Sequence, residues 1–197
     1  MKNFYIILIL FFSFAIFSCA KKSDTSSTTT TTTEIEGTFL TNCFQSGSYY
    51  NIQTITVTGT DVVVKYEWHT DSSCSTDYAL WEDTYDSLSI GDEVTFSDAT
   101  KGHKFTLEVV SFKLTPQSAS TVSSVNTANY CGYSDWELNV AKDITGKTCV
   151  GTTIISANTK LLSLYKNESS NTIQLGSFNI ESDGYPDSVS SLDFTKQ

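Results

Sequence analysis

The chain contains no arginine, and its 12 lysines stand against 22 acidic residues, which gives a formal net charge of −10. Binding to nucleic acid depends on clustered cations that displace counterions, and base recognition depends largely on bidentate arginine. An acidic chain without arginine therefore excludes nucleic acid as a partner. The same charge excludes electrostatic attachment to anionic lipid headgroups, which attract basic segments.

Histidine and proline are also scarce, since His69, His103, Pro116 and Pro186 are the only examples. No G-x-S-x-G elbow frames a serine nucleophile, and no H-E-x-x-H motif offers a zinc site. His69 ends a predicted strand close to Asp71 and is expected to face solvent, whereas His103 is expected to lie in a turn. The sequence therefore predicts no catalytic residue, no metal site and no cofactor, and the chain is not expected to be an enzyme.

Acidic residues are numerous, but their order in the chain matches no known site. Asp83, Asp86, Asp92 and Glu93 are close enough in sequence to bind calcium weakly, yet no D-x-D-x-D-G loop surrounds them. A pair of carboxylates for glycoside hydrolysis cannot be singled out among 22 acids.

Long hydrophobic runs are confined to the N-terminus, where residues 4 to 17 are apolar except for Ser13. Lys2 precedes this run and Lys21 follows it closely, whereas a transmembrane helix needs about 20 apolar residues. The pattern is typical of a secretory signal peptide over residues 1 to 18. The end of the run, Ile16-Phe17-Ser18-Cys19, resembles a bacterial lipobox. This resemblance implies that the Cys19 thiol is acylated, for example with palmitate, and that Cys19 becomes the mature N-terminus.

The residues after Cys19 predict a location and a tether. Ala20 resembles the residue that follows the acylated cysteine in lipoproteins sorted to the outer membrane of Gram-negative bacteria. Because the acidic chain is not attracted to anionic headgroups, the lipid on Cys19 is the expected membrane attachment. Stable anchoring takes more than one acyl chain, so Cys19 is expected to carry more than one. Serine, threonine and lysine dominate residues 20 to 34 and cannot bury apolar surface. We therefore expect residues 19 to 34 to form a lipidated, disordered tether in the cell envelope.

Four cysteines remain when Cys19 is set aside, namely Cys43, Cys74, Cys131 and Cys149. In an exported domain they imply up to two disulfides, with three possible connectivities. Structural zinc is the competing use, but no C-x-x-C pair is present to support it. Chain order favours Cys43 with Cys74 and Cys131 with Cys149. The second bond would close a loop of about 17 residues and stabilise the fold by about 3 kcal/mol.

Residues 35 to 197 suffice for one domain, and their patterning is that of β-strands. Val62, Val64, Tyr66 and Trp68 alternate with more polar residues, which predicts one buried and one exposed strand face. Similar patterns predict about eight strands in all, over residues 37–43, 52–58, 62–69, 77–88, 93–97, 105–114, 160–166 and 172–180. After Pro116 the alternation stops, and a short helix or an ordered loop is expected over residues 117–129. Pro116 suits the first position of such a helix, with Thr115 as its cap.

An antiparallel meander of this size must protect its edges, and closing the sheet into a barrel does so. A β-sandwich is the alternative, and strand counting does not separate the two. The opening Glu36-Gly37-Thr38-Phe39 resembles the Gly-x-aromatic start of lipocalin-like (calycin-like) barrels. Together with Ile90-Gly91-Asp92 and Asp183-Gly184-Tyr185-Pro186, it resembles small uncharacterised bacterial lipoproteins of this architecture. The resemblance implies a lipocalin-like barrel in the envelope and no established activity.

An insert over residues 115 to 150 places Tyr130, Tyr133 and Trp136 around Cys131. One interpretation is a disulfide-clamped loop whose aromatic rings plug one end of the barrel. The other is a ligand or partner surface at the barrel mouth, because amphipathic rings suit a site that is partly dry and partly wet.

Two functional classes follow from these observations. The first is a barrel that binds a small apolar or amphipathic ligand, and the second is a surface protein that contacts a protein partner through exposed aromatic loops. An empty apolar interior of about 300 Å³ or more would favour the first class, and a solid core the second. A monomer is expected in both cases.

Overall fold

The computed structural model describes residues 35–96, 99–177, 180 and 182–197. The expected signal peptide, Cys19 and the tether lie outside these residues. Among the described residues, no helix is both long and apolar enough to cross a membrane.

β-strands make up most of the described chain. In order they are β1 (Gly37–Leu40), β2 (Phe44–Ser46), β3 (Tyr49–Thr58), β4 (Asp61–His69), β5 (Asp77–Thr95), β6 (Lys101–Pro116), β7 (Lys142–Asp143), β8 (Thr148–Cys149), β9 (Thr152–Thr153), β10 (Lys160–Ser169), β11 (Thr172–Gly176) and β12 (Val189–Lys196). Eight of these strands form one closed antiparallel sheet in the order β1-β3-β4-β5-β6-β10-β11-β12, and β12 returns to β1. β2 and β7 extend the sheet beside β3 and β6.

Strand β1 closes the sheet into a barrel by pairing with both β3 and β12. Phe39 lies opposite Ile55 on β3 and also opposite Lys196 on β12, so that β1 is hydrogen-bonded on both sides. Each strand of the barrel therefore has two neighbours, which removes the exposed edges of an open sheet. The predicted eight-stranded barrel is confirmed, and the β-sandwich alternative is excluded. Because successive barrel strands are neighbours, the arrangement is the up-and-down meander of a lipocalin-like barrel.

The strand predicted over residues 77–88 and the one predicted over 93–97 are a single strand, β5. Its register with β6 shifts between Thr84 and Tyr85 and at two later points, and Ser87 has a φ of 54°. Such bulges bend a strand without ending it. At the two later shifts the extra residue lies on β5, so the alternation of its side chains is interrupted between Asp86 and Ser89 and again between Ile90 and Glu93. The sequence pattern therefore reads as two elements.

The eighth strand of the barrel is instead β12, which the sequence pattern did not predict. Leu192 and Phe194 provide its alternating apolar positions, and serine, aspartate and threonine fill most of the others. Isolated apolar residues of this kind give a weak local signal. Pairing with β1 and β11 determines the strand.

A helix follows β6, as expected, but its start differs from the prediction. Helix α1 spans Ala119–Thr127, and the Ser118 side chain caps it by accepting a hydrogen bond from the Thr121 backbone N–H at 3.1 Å. Pro116 is not the first helical residue, because it ends β6 opposite Ala79. One 3-10 turn, Tyr130–Gly132, comes after the helix.

Inward-facing side chains from all parts of the sheet form the core. Val62 and Val64 are buried on the predicted face of β4. Other large buried residues are Phe39, Ile55, Phe105, Val109, Phe112, Tyr165 and Phe194.

Both disulfides have the connectivity that chain order predicts. Cys43, just before β2, is bonded to Cys74 in the loop after β4, with the Cα atoms 6.0 Å apart. Cys131 in the 3-10 turn is bonded to Cys149 at the end of β8, with the Cα atoms 4.1 Å apart. The four thiols are therefore used in covalent bonds, which removes the zinc interpretation.

Candidate functional site

A carboxyl group lies inside the barrel. Asp83 is only 5% exposed, and it shares the inward face of β5 with Trp81 and Tyr85 because alternate residues of a strand point the same way. The Trp81 indole N–H donates a hydrogen bond to Asp83 Oδ1, and the Tyr85 hydroxyl donates to Oδ2 at 3.0 Å. The Tyr66 hydroxyl, from β4, is a third donor. The acid that sequence inspection treated as a possible calcium ligand is thus part of the interior.

Burial dominates the electrostatics of this carboxyl group. Desolvation raises the pKa of Asp83 to about 7, although the hydrogen bonds from Tyr85, Trp81 and Tyr66 act in the opposite direction. None of the described groups that shift this pKa is a cation. Lys65 on β4 and Lys113 on β6, the lysines that lie opposite Glu82 in the sheet, point to the outer face, where each pairs with Glu82.

The tyrosines beside Asp83 remain neutral. Desolvation raises the pKa of both Tyr66 and Tyr85 well above the usual value for a phenol, and the nearby Asp83 charge raises it further. Both hydroxyl groups therefore act as hydrogen-bond donors to the carboxyl group across the physiological pH range.

Aromatic side chains near Asp83 keep exposed surface although they face the interior. Tyr66, Trp68 and Trp81 are each half-buried, and Tyr66 lies directly opposite Trp81 in the β4–β5 pairing. Leu161 and Leu175, which face inward from β10 and β11, are also half-buried. A side chain that points into a closed barrel and remains partly exposed is reached by solvent through the interior or the mouth of the barrel. We refer to this region, bordered by Tyr66, Trp68 and Trp81, as the lumen site.

Polar groups from β3 line the same side of the interior. Asn51 lies opposite Trp68 and Gln53 lies opposite Tyr66. The Asn51 side chain is completely buried; its Nδ2 donates to the Glu67 carbonyl at 3.0 Å, while its Oδ1 accepts no hydrogen bond from the described residues. A buried acceptor of this kind destabilises the fold unless a water or a ligand supplies a donor.

The aromatic residues of the insert do not form the surface that was predicted as one of two interpretations. Tyr130 is 0% exposed and Trp136 is 2% exposed. Their rings lie 6.3 Å apart, and the Trp136 indole N–H donates to the Tyr130 carbonyl at 3.3 Å. Packing within the insert therefore buries both residues, and the prediction of a ligand or partner surface is wrong for them.

Tyr133 is half-buried and held by the loops around it. Its hydroxyl donates to the Asp143 carbonyl at 2.9 Å, and the Lys142 and Lys147 ammonium groups lie 4.8 Å and 4.7 Å from its ring centre. The two lysines occupy the ring, so Tyr133 serves the packing of the insert. The insert itself is fastened to the barrel where the Thr121 hydroxyl donates to the Tyr78 carbonyl at 2.8 Å.

Neither histidine lies where the sequence suggested. His69 is 6% exposed instead of facing solvent, because a bulge after Trp68 alters the pairing with β5 and brings its Nδ1 to 3.3 Å from Asp77 Oδ1. His103 belongs to β6 and not to a turn, and its ring stacks on Tyr165 at 5.8 Å. Within the described ranges, no three His, Cys, Asp or Glu side chains are placed to hold a metal ion.

A second concave region lies on the outside of the barrel. This groove has a volume of about 550 Å³ and is bordered by β10 and by residues 183 to 189. Its two lysines are already paired, Lys104 with Asp183 at 2.5 Å and Lys166 with Glu168 at 2.9 Å. The two lysines of the groove are therefore already neutralised by carboxylates of the protein.

Neither a protein-family model nor a curated protein matches this chain. Function is therefore inferred from the barrel and its lumen site.

Proposed function

We propose that this protein is an envelope lipoprotein, without enzymatic activity, whose barrel binds a small amphipathic ligand. The observation that carries this proposal is the partial exposure of Tyr66, Trp68 and Trp81 on the inner face of the barrel. Ligand sites are concave and largely apolar, with a few fixed polar groups that orient the ligand. Aromatic rings beside Asp83 and Asn51 have this composition.

The envelope location is supported by two independent features. The lipobox-like sequence ending at Cys19 is followed by a tether and then by the barrel domain. Two disulfides in a domain of this size are typical of an oxidising compartment outside the cytoplasm. Acyl chains on Cys19 would hold the domain at the membrane, consistent with the acidic, lysine-poor composition.

Replacing Cys19 by serine should abolish lipidation, because the hydroxyl cannot replace the thiol that receives the acyl chain. We expect the Cys19→Ser chain to incorporate no labelled palmitate in its host. A matched Ser18→Ala chain keeps a small residue before the cut and should be labelled like the wild type. Normal labelling of Cys19→Ser would refute the anchor.

The ligand can be sought directly by native mass spectrometry of the mature lipidated chain purified from its host. We expect an additional bound mass that denaturation releases. The mass should be lost from Trp68→Leu, which changes the lumen site, and retained in Glu67→Gln, which changes the adjacent outward-facing residue. If the wild-type chain carries no extra mass and acquires none from a host lipid extract, the ligand-binding function is wrong.

A further inference from the structure

We propose that the ligand of the lumen site is an organic cation, an amine or a quaternary ammonium compound, whose charged group lies beside Asp83. This inference rests on the proposed ligand-binding function and specifies the chemical class of the ligand. Its basis is a carboxyl group that is enclosed by aromatic residues and neutral hydrogen-bond donors inside the barrel.

Charge balance gives the first argument. The hydrogen bonds that Asp83 receives come from an indole N–H and from phenol hydroxyls, all of them neutral. A carboxylate in an apolar interior is costly unless an opposite charge accompanies it. A cationic ligand would supply this charge. A neutral ligand would bury the carboxylate further, and an anionic ligand would repel it.

The arrangement of the aromatic rings gives the second argument. Trp81 and Tyr66 are paired across β4 and β5, and both donate hydrogen bonds to Asp83, so their rings and the carboxyl group share one inner surface. Trp68 faces inward two residues after Tyr66. Aromatic faces attract ammonium groups, most strongly where water is excluded. The same surface therefore provides two kinds of attraction for a cation.

The lysines near this region do not compete for the carboxyl group. Lys65 on β4 and Lys113 on β6 point to the outer face and pair with Glu82 at 3.7 Å and 3.9 Å. The negative charge of the whole chain, −10, also favours the approach of cations over anions.

The inference can be tested with three small probes of similar size, namely benzyltrimethylammonium, benzyl alcohol and phenylacetate. The mature chain is held in phosphatidylcholine nanodiscs, and binding is followed by tryptophan fluorescence and calorimetry against empty nanodiscs. We expect benzyltrimethylammonium to bind at least tenfold more tightly than benzyl alcohol, and phenylacetate to bind most weakly.

Two variants with the same change of charge separate a role of Asp83 from an effect of net charge. Asp83→Asn should weaken benzyltrimethylammonium binding at least tenfold and should leave benzyl alcohol binding within twofold. Glu82→Gln removes a carboxylate from the outer face at the neighbouring position and should change neither affinity by more than twofold. Circular dichroism establishes that both variants are folded.

The wild-type chain alone provides an independent readout through pH. Benzyltrimethylammonium keeps its charge at every pH, so its affinity should fall as the pH drops below about 7 and Asp83 takes up a proton. The titratable groups nearest Asp83 are Tyr66 on β4 and Glu82 and Tyr85 on β5, while β6 presents Phe112. Both tyrosines stay neutral in this range. Benzyl alcohol binding should not depend on pH.

The outcomes distinguish this inference from the function on which it rests. If all three probes bind with equal affinity to the wild type and to Asp83→Asn, the cation preference is refuted and ligand binding by the barrel stands. If benzyltrimethylammonium does not bind the folded wild type, the inference is also refuted, and the native mass measurement then decides separately whether the barrel holds another class of ligand.

Discussion

Replacing Asp83 by asparagine should stabilise the barrel at pH 8 by up to about 4 kcal/mol and should remove a pH dependence that the wild type has. In the folded chain the pKa of Asp83 is about 7, compared with 3.8 for an unperturbed aspartate. Between these two values the folded state holds a proton that the unfolded state has released. The stability of the wild type should therefore fall as the pH rises from about 4 to about 7 and then level off.

The measurement is urea unfolding of both chains at pH 4, 5.5, 7 and 8, with the difference in free energy of unfolding taken at each pH. Other titrating groups contribute equally to the free energy of unfolding of both chains, so their contributions cancel in the difference. Examples are Asp135 and Asp183, whose pKa values are lowered by their lysine partners. Glu82→Gln serves as the control and should show no such trend. Parallel curves for the wild type and Asp83→Asn would mean that the carboxyl group is not desolvated.

A single methyl group added at Gly102 should have a large effect of the opposite sign and destabilise the barrel. A Cβ atom at this position would lie 1.8 Å from the Tyr165 carbonyl oxygen and 2.8 Å from the Lys166 Cα atom. Gly102 on β6 lies opposite Lys166 on β10. To make room for the methyl group, the two strands would have to move apart at this pair. We expect Gly102→Ala to lower the free energy of unfolding by about 3 kcal/mol or more, as severe overpacking does.

Gly91 provides the matched control, because it lies on the neighbouring strand β5. A Cβ atom there would have its nearest neighbour, the Lys104 carbonyl oxygen, at 3.4 Å, an ordinary contact. Gly91→Ala should change stability by less than about 1 kcal/mol. Urea unfolding of the two variants makes the comparison. Equal effects would show that β6 and β10 are not packed as closely as described.

Much of the fold could be predicted because its determinants are local. Alternation in residues 62–69 specifies β4 and its inner face. Of the three possible disulfide connectivities, the one that chain order favours is the one observed. The length of β5 could not be predicted, because bulges near Ser87 break the local pattern while long-range pairing with β6 continues. The strand β12 was missed for a related reason, since its partners β1 and β11 define it more than its own residues do.

The candidate site was harder to predict because burial of an acid contradicts the usual preference. One signal was present in the chain, since Asp83 alternates with Trp81 and Tyr85 and must share their face. The burial of Tyr130 and Trp136 had no comparable signal in the sequence. Their burial depends on contacts within the insert, such as the hydrogen bond from the Trp136 backbone N–H to the Asn126 side chain at 2.7 Å.

The way in which β1 closes the barrel also constrains how the chain folds. The pairing of Phe39 with Lys196 joins the first and the last strand of the barrel, so it cannot form until β12 has been synthesised. Contacts between residues so distant in sequence slow folding, because the chain must lose much of its conformational freedom before they form. Until β12 arrives, one side of β1 has no partner and offers a template for pairing with another chain. We therefore expect incomplete chains that end before residue 189 to aggregate. A chaperone that covers exposed strand edges should have its largest effect before β12 has been synthesised.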